Sequence, residues 1–202
     1  MNLSDFDLLT ALIVGIGLSA ACGFRVFVPL LGASIAAHAG YLQLSPDFAW
    51  LGSQPALIAL ALATGLEIAA YSVPVVDHIM DTVAAPVAVI AGTLLMASLL
   101  GDLSPFLKWS LAVIAGGGSA GLVQAGSVLA RGVTALMTGG MGNLAVALLE
   151  LAGAVAMTLL ALFAPFIGVA GLLLGLVLMV RWLLRRGGGN PSSGRACDGK
   201  GA

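Results

Sequence analysis

Long apolar stretches alternate with short polar or glycine-rich segments along the chain, and this alternation predicts six membrane spans. A helix of about 20 apolar residues crosses a bilayer core of roughly 30 Å. The predicted spans are residues 8–38, 55–73, 86–101, 107–137, 144–163 and 165–184. The expected fold class is therefore all-α, a polytopic membrane protein of about six transmembrane helices.

The first and fourth predicted spans are too long for one straight crossing, and glycine interrupts both. Glycine and proline weaken a helix interior, so we expect kinks or half-helices near residues 22–25 with Pro29, and near residues 116–118. Such segments either let helices pack closely or expose backbone amides that hold a ligand. The residues assigned to the two breaks are Gly17, Ser19, Gly23, Gly117, Ser119 and Gly121.

Polar segments separate the spans. The longest predicted loop covers residues 40–54 and contains Pro46 and Trp50. Pro74 is expected to end the second span, because proline restricts the residue before it. A short polar link at residues 75–83 follows, and Pro86 suits the first turn of the third span.

The chain also resembles itself at a constant offset of 100 residues, since Gly17-Leu-Ser-Ala-Ala returns at Gly117 as Gly-Gly-Ser-Ala-Gly. Each copy opens a glycine-interrupted apolar stretch that has one arginine in its second half, Arg25 in the first and Arg131 in the second. Two similar halves with interrupted spans are typical of inverted-repeat transporters, whose ligand site lies where the halves meet. We expect one repeat in residues 1–103, its inverted copy in 104–186, and a disordered tail in 187–202.

Composition supports the membrane class, because 8% of residues are charged where a soluble domain has about 25%. Mean hydropathy is +1.10. No basic face, catalytic triad, phosphate loop or zinc signature occurs, so we expect neither nucleic-acid binding nor an ordinary enzyme, and no cofactor. Cys22 and Cys197 indicate no disulfide.

Charge placement predicts the orientation. Arg181, Arg185 and Arg186 cluster at the end of the last span, and positively charged residues favour the cytoplasmic side. With six spans, both termini then lie in the cytoplasm. The N-terminus carries Asp5 and Asp7 where a cleaved signal peptide has lysines, so the first span is expected to stay in a multi-pass inner-membrane protein.

Four ionisable residues fall inside predicted spans. Such groups are costly in hydrocarbon and usually face a partner or a wet path. Glu67, with Tyr71 one turn onward, and Glu150 are both expected roughly 10 Å from the cytoplasmic face, at one level. Pairs of Arg25 with Glu67 and of Arg131 with Glu150 would explain them structurally. A substrate or ion role is the alternative, and the two interpretations are compatible.

Several weaker candidates lie nearby. Asp77 and Asp81 are four residues apart beside His78, which suits a cation or proton site, or else a solvated link and helix cap. Gln124 and Asn143 add uncharged donors and acceptors near the second predicted break. A metal site stays undetermined.

Three stretches resemble a widespread bacterial and plant membrane family of unknown function: GLSAACGFRVFVPLL at 17–31, LEIAAYSVPVVDHIMDT at 66–82 and TGGMGN at 138–143. The resemblance spans residues 8–184. It implies an integral membrane protein and marks Arg25, Glu67, Asp77, Asp81 and Asn143 as motif positions, but it implies no activity.

Three functions are compatible with these patterns. The first is a small transporter or channel for a small ion or solute, with an anionic group attracted by Arg25 and coupling to protons or cations through Glu67 and Asp77 or Asp81. The second is a protein that binds or moves lipid through a groove open to the bilayer. The third is a non-catalytic scaffold or assembly factor. The expected partners are the lipid bilayer and the transported species, and a homodimer remains open.

Overall fold

The predicted first span is two helices separated by a break. In this computed structural model, which describes residues 5–70, 74–101, 103–138 and 143–187, α1 is Asp5–Cys22 and α2 is Phe27–His38. The break follows from Gly23 and Pro29. Pro29 is the third residue of α2, where the missing N–H has no helical acceptor to lose. The first interruption is therefore confirmed, although α1 continues through Gly17 and Ser19.

The remaining described elements are also helical, with no strand among the described residues. A 3₁₀ helix lies in the predicted loop after α2. Further helices follow in chain order, with a π-helical segment between α5 and α6. Their bounds are 3₁₀ Pro46–Gly52, α3 Gln54–Ala70, α4 Pro74–Leu99, α5 Pro105–Leu111, π segment Ala112–Gly117, α6 Gly118–Thr138, α7 Asn143–Phe163 and α8 Pro165–Gly187.

The core is built where small residues of α1, α4 and the π segment meet. Ser19 Oγ donates to the Gly92 carbonyl oxygen at 2.7 Å, which joins α1 to α4. A Cβ on Gly116 would lie 2.6 Å from that same oxygen and 2.5 Å from Met96 Cβ. Because dispersion contacts and interhelical hydrogen bonds hold membrane helices together, such close approach stabilises the bundle.

The fourth predicted span is not divided into half-helices at residues 116–118, where the structure has a π-helical segment instead. α5, the π segment and α6 form a continuous helix, so Gly117, Ser119 and Gly121 do not interrupt it. A π turn accommodates irregular winding and keeps main-chain hydrogen bonds inside the helix. The glycines serve close packing: a Cβ on Gly117 would lie 2.7 Å from Thr93 Oγ1 on α4.

The predicted polar link at 75–83 is wrong as well. These residues form the first part of α4, which continues through Pro86. Pro86 is thus an interior proline and not a first-turn one. It removes one main-chain donor, and packing of α4 against α1 and the π segment outweighs that loss.

The outer surface of the bundle is apolar. Leu66, Phe106, Leu136 and Leu149 are among many large apolar side chains left exposed. A surface of this kind is typical of a protein that contacts lipid. By length and composition, Pro105–Met137 and Ala145–Phe163 can each cross a membrane. Counting the 3₁₀ helix and α3, bent by 63°, as one span raises the number among the described residues to three.

The structure thus supports an all-α, membrane-associated chain. Four further apolar helical stretches of 10–17 residues are Leu8–Cys22, Phe27–His38, Val83–Leu99 and Pro165–Leu178, of which the last two are parts of the longer helices α4 and α8. Six spans and an inverted relation between the halves stay predictions.

Candidate functional site

The carboxylate of Glu67 binds the free main-chain amides at the start of α2. Its Oε1 accepts from the Val26 N–H at 2.9 Å, and its Oε2 accepts from the Phe27 N–H at 3.1 Å. The N-cap residue of α2, Val26, has an apolar side chain and makes no side-chain capping hydrogen bond, so the acceptor comes from another helix. Glu67, from the last turn of α3, therefore caps α2 across a distance of about 40 residues of chain.

The electrostatics of this contact favour an anion. The start of a helix carries a partial positive charge, while Glu67 lies near the unfavourable negative end of its own helix. Arg25 lies in the break immediately before Val26, and its guanidinium interacts electrostatically with the Glu67 carboxylate. Two amides and one cation thus surround a half-buried carboxylate at the helix break.

Arg25 is anchored on the second half of the chain. Its side chain is 3% exposed, and one terminal nitrogen donates to the Ala147 carbonyl oxygen on α7 at 3.0 Å. The break also packs on α6, where a Cβ on Gly23 would lie 2.5 Å from the Ala120 carbonyl oxygen. The site is therefore formed by α1, α2, α3, α6 and α7, where the two halves meet.

A second buried charge cluster lies between α6 and α7. Arg131 Nε donates to Glu150 Oε1 at 2.8 Å, a terminal guanidinium nitrogen contacts the other carboxylate oxygen, and Ser127 donates to Oε1. This is the pairing that the sequence predicted for Arg131 and Glu150. All three side chains are buried. With its partners this close, the carboxylate of Glu150 is occupied by protein groups.

The two glutamates have separate partners. Glu67 binds the start of α2 and Glu150 binds Arg131, and their convergence at one level stays a prediction. Arg25 connects the clusters, because Ala147 lies one turn before Glu150 on α7.

Other predicted candidates are partly outside the described residues. Tyr71 lies there entirely. Asp77 and Asp81 lie on the described backbone of α4 and Asn143 begins α7, but their side chains fall outside the described part. Gln124 is a buried residue on α6 and lines a groove between α4 and α6. Among the side chains that are described, no three metal-binding types come together.

Lys108 is a buried charge that the sequence analysis did not single out. Its Nζ contacts Asp47 Oδ2 at 3.0 Å and Ser45 Oγ at 3.3 Å, and it lies 5.3 Å from the Phe48 ring centre. The signal was a lone lysine at the start of an apolar span. These contacts join α5 to the 3₁₀ helix and the residue before it.

Comparison with known families places the chain. One family profile, described as a domain of unknown function (DUF4126), matches residues 12–186. The chain belongs to the DUF4126 family. No curated protein and no solved structure matches it. The suspected membership in a family of unknown function is thus confirmed, and the DUF4126 match covers both charge clusters and the helix break.

Chemically, the first cluster of this DUF4126 protein is a glutamate side chain bound by two main-chain amides beside an arginine. The α2 amides and Arg25 stabilise negative charge, and a proton is the agent that would weaken the hold of Glu67, because a neutral carboxyl is a poorer acceptor. In the second cluster, both carboxylate oxygens of Glu150 contact Arg131, and one of them also accepts from Ser127.

Proposed function

We propose that this DUF4126 protein is a non-enzymatic, multi-pass inner-membrane transporter or channel for a small anion, coupled to protons through Glu67. The observation that carries the proposal is the Glu67 carboxylate on the amides of Val26 and Phe27. Glu67 acts as a built-in substitute for the transported anion. It occupies the site when ionised and leaves it when protonated.

The physical argument rests on charge balance. An isolated charge at membrane depth costs at least several kcal/mol, so Arg25 and the α2 amides need a negative partner at every stage. An anion that takes the place of Glu67 supplies that partner, and the displaced carboxyl is neutral. Binding of one anion is then linked to uptake of one proton.

Titratable neighbours are few among the described residues. Arg25 carries the positive charge beside the site, and the buried Cys22 thiol lies near it, with Sγ 3.9 Å from the Val26 carbonyl oxygen. On α7, Glu150 is held by Arg131. Glu67 is therefore the group through which a proton acts on the anion site.

The proposal includes six spans in two inverted halves with both termini in the cytoplasm. It is supported by the contact of the break with α6 and α7, which brings residues of both halves to one site. The exposed Arg181 on α8 agrees with a cytoplasmic end for that helix.

The test uses full-length protein in proteoliposomes containing a pH-sensitive dye, with chloride and nitrate gradients as separate probes. At least one of these gradients should drive proton movement in the wild type. Glu67→Gln should abolish that coupling, because the amide keeps the shape but cannot carry the proton, and its nitrogen cannot accept from a main-chain N–H.

Glu150→Gln is the matched control for loss of a buried carboxylate, and it should leave proton coupling in place wherever the protein folds. A second measurement follows anion binding against pH. Wild-type affinity should rise by about tenfold for each unit of pH decrease while Glu67 is ionised, since binding takes up one proton. Glu67→Gln should show no such slope. Unchanged coupled flux in Glu67→Gln, or the same pH slope in both proteins, would contradict the proposal.

A further inference from the structure

α1 and α2 contact the same turn of α7. A Cβ on Gly17 of α1 would lie 2.9 Å from Ala161 Cβ, and a Cβ on Gly32 of α2 would lie against the Thr158 side chain. Thr158 and Ala161 belong to one turn of α7, separated by about 4.5 Å along the helix axis. Gly17 and Gly32 therefore lie at nearly the same depth in the bundle, although the helix break separates them in the chain.

The break itself lies much nearer to the start of α7. A Cβ on Gly153 would lie 3.8 Å from the Phe24 ring, and Arg25 reaches the Ala147 carbonyl oxygen at 3.0 Å. Gly153 precedes Ala161 by about 12 Å along α7 at the usual helical rise. α1 thus runs along α7 down to the break, and α2 returns along the same helix. The two helices are antiparallel.

Both ends of this antiparallel pair lie at the end of the bundle that carries the 3₁₀ helix. Leu8, near the start of α1, and Phe48 of the 3₁₀ helix pack against the same buried cluster, which contains Leu100. At the end of α2, His38 Nδ1 lies 2.9 Å from the Gly52 carbonyl oxygen. The start of α1 and the end of α2 are therefore on one side of the molecule.

The length of α2 also argues against a crossing. Its 12 residues rise about 18 Å, while the hydrocarbon core of a bilayer is roughly 30 Å thick. Irregular backbone at membrane depth is tolerated where protein surrounds it. The break meets this condition, because Gly23, Arg25 and Val26 are buried and contact α3, α6 and α7.

Basic residues are distributed as a hairpin requires. Residues 1–24 and 39–53 contain acidic side chains but neither lysine nor arginine. α8 begins beside the last turns of α7, since a Cβ on Gly168 would lie 3.3 Å from Leu160 Cβ, and it carries the arginines of residues 181–186 to the opposite end. Because positively charged residues concentrate on the cytoplasmic side, the end with the 3₁₀ helix is the outer one.

We infer that α1 and α2 form a re-entrant hairpin, which enters and leaves the membrane on the outer side and places the Glu67 site at its tip. The helices α3, α4, α5 to α6, α7 and α8 then make the crossings. The C-terminus stays cytoplasmic, but the N-terminus lies outside. The hairpin follows from packing alone, so it is independent of anion transport, and it replaces the first crossing of the six-span topology.

The experiment labels single cysteines with a membrane-impermeant maleimide in spheroplasts that express the full-length chain. Cys197→Ser is the background and the blank, because its remaining thiol, Cys22, is buried. Gln43→Cys in the outer loop is the positive control, and Ser193→Cys in the C-terminal tail is the negative one. Asn2→Cys should be labelled as strongly as Gln43→Cys, whereas Ser193→Cys should be labelled only after detergent opens the membrane.

A second measurement tests the packing of the hairpin directly. Under mild oxidation, the cysteine pair Gly32→Cys/Thr158→Cys should form a disulfide, detected as protection of both thiols from a mass-tagged maleimide. The pair Gly32→Cys/Ala147→Cys is the matched control and should stay reduced. Ala147 lies about 16 Å further along α7, whereas a disulfide joins Cβ atoms roughly 4 Å apart. A kinked but continuous span would bring α2 toward Ala147 instead.

The hairpin is overturned if Asn2→Cys is labelled only after detergent, as Ser193→Cys is. It is also overturned if the Ala147 pair cross-links and the Thr158 pair does not. The labelling changes no residue of α1 or α2, so it decides the question even if Gly32→Cys does not fold. Neither measurement depends on flux, so a failure of the proposed transport would leave these results unchanged.

Discussion

Removal of one member of the Arg131–Glu150 pair should destabilise the protein strongly, whereas removal of both should not. In Glu150→Leu, Arg131 loses the Nε contact at 2.8 Å and the contact of a terminal nitrogen, while both α6 and α7 keep their apolar surroundings. Hydrogen bonds to charged groups contribute about 1.5–3 kcal/mol each. Two of them give about 3–6 kcal/mol, which agrees with the roughly 3–5 kcal/mol typical of breaking a buried pair.

The double variant Arg131→Met/Glu150→Leu removes both charges together with the contacts between them. Ser127 then loses its carboxylate acceptor, but its hydroxyl can turn to the main-chain carbonyl one turn earlier. We therefore expect the free energy of unfolding of the double variant to lie within about 1 kcal/mol of the wild type. If each single variant loses about 3 kcal/mol or more, the coupling energy in the double-mutant cycle should be about 5 kcal/mol or more.

The assay is reversible unfolding in mixed detergent micelles, with the helical circular dichroism signal followed for the wild type, the two single variants and the double variant. A double variant less stable than either single variant would refute the reasoning. Single variants within 1 kcal/mol of the wild type would refute it equally. Proteoliposome flux of the double variant gives a further readout, because a purely structural pair predicts that proton-coupled anion movement survives.

Two further predictions concern packing and the cap over the bundle. Gly23→Val should lower the free energy of unfolding by about 2 kcal/mol or more, because the added Cβ would lie 2.5 Å from the Ala120 carbonyl oxygen and push the break away from α6. The same displacement should reduce any anion flux. Unfolding and flux measurements test this prediction, and wild-type values in both would contradict it. Asp47→Ala should lower the free energy of unfolding by no more than about 1 kcal/mol, because the Asp47 side chain is 77% exposed and water can replace it beside Lys108. Thermal unfolding measures this change. A larger loss would show that the ion pair holds the 3₁₀ helix in place.

Sequence patterns predicted those features that follow from one large energetic penalty within a short segment, such as an unpaired buried charge or a helix-breaking residue. The sequence predicted partners for Arg131 and Glu150 because an unpaired charge is costly in hydrocarbon, and in the structure the two residues form an ion pair. The interruption after Cys22 followed from Gly23 and Pro29 acting in one short segment. Family membership followed from motifs that covered the same region.

The failures have a common physical origin, since tertiary packing outweighed local propensity. Glycines at 116–118 weaken an isolated helix, yet here the helix is continuous, and Gly116 and Gly117 allow close contact with α4. Pro86 is tolerated inside α4 for a similar reason. The main-chain partners of Glu67 were not predictable either. A charge in a span indicates that a partner exists, but not whether it is a side chain or a free helix end.

Capping of α2 from α3 has a consequence for membrane insertion. In the proposed topology α1 and α2 enter the bilayer before Glu67 is synthesised, about 40 residues later, so the N–H groups of Val26 and Phe27 then lack their acceptor. Unsatisfied main-chain groups cost several kcal/mol in hydrocarbon. We therefore expect α1, α2 and α3 to integrate together, with the last turn of α3 completing the segment synthesised before it.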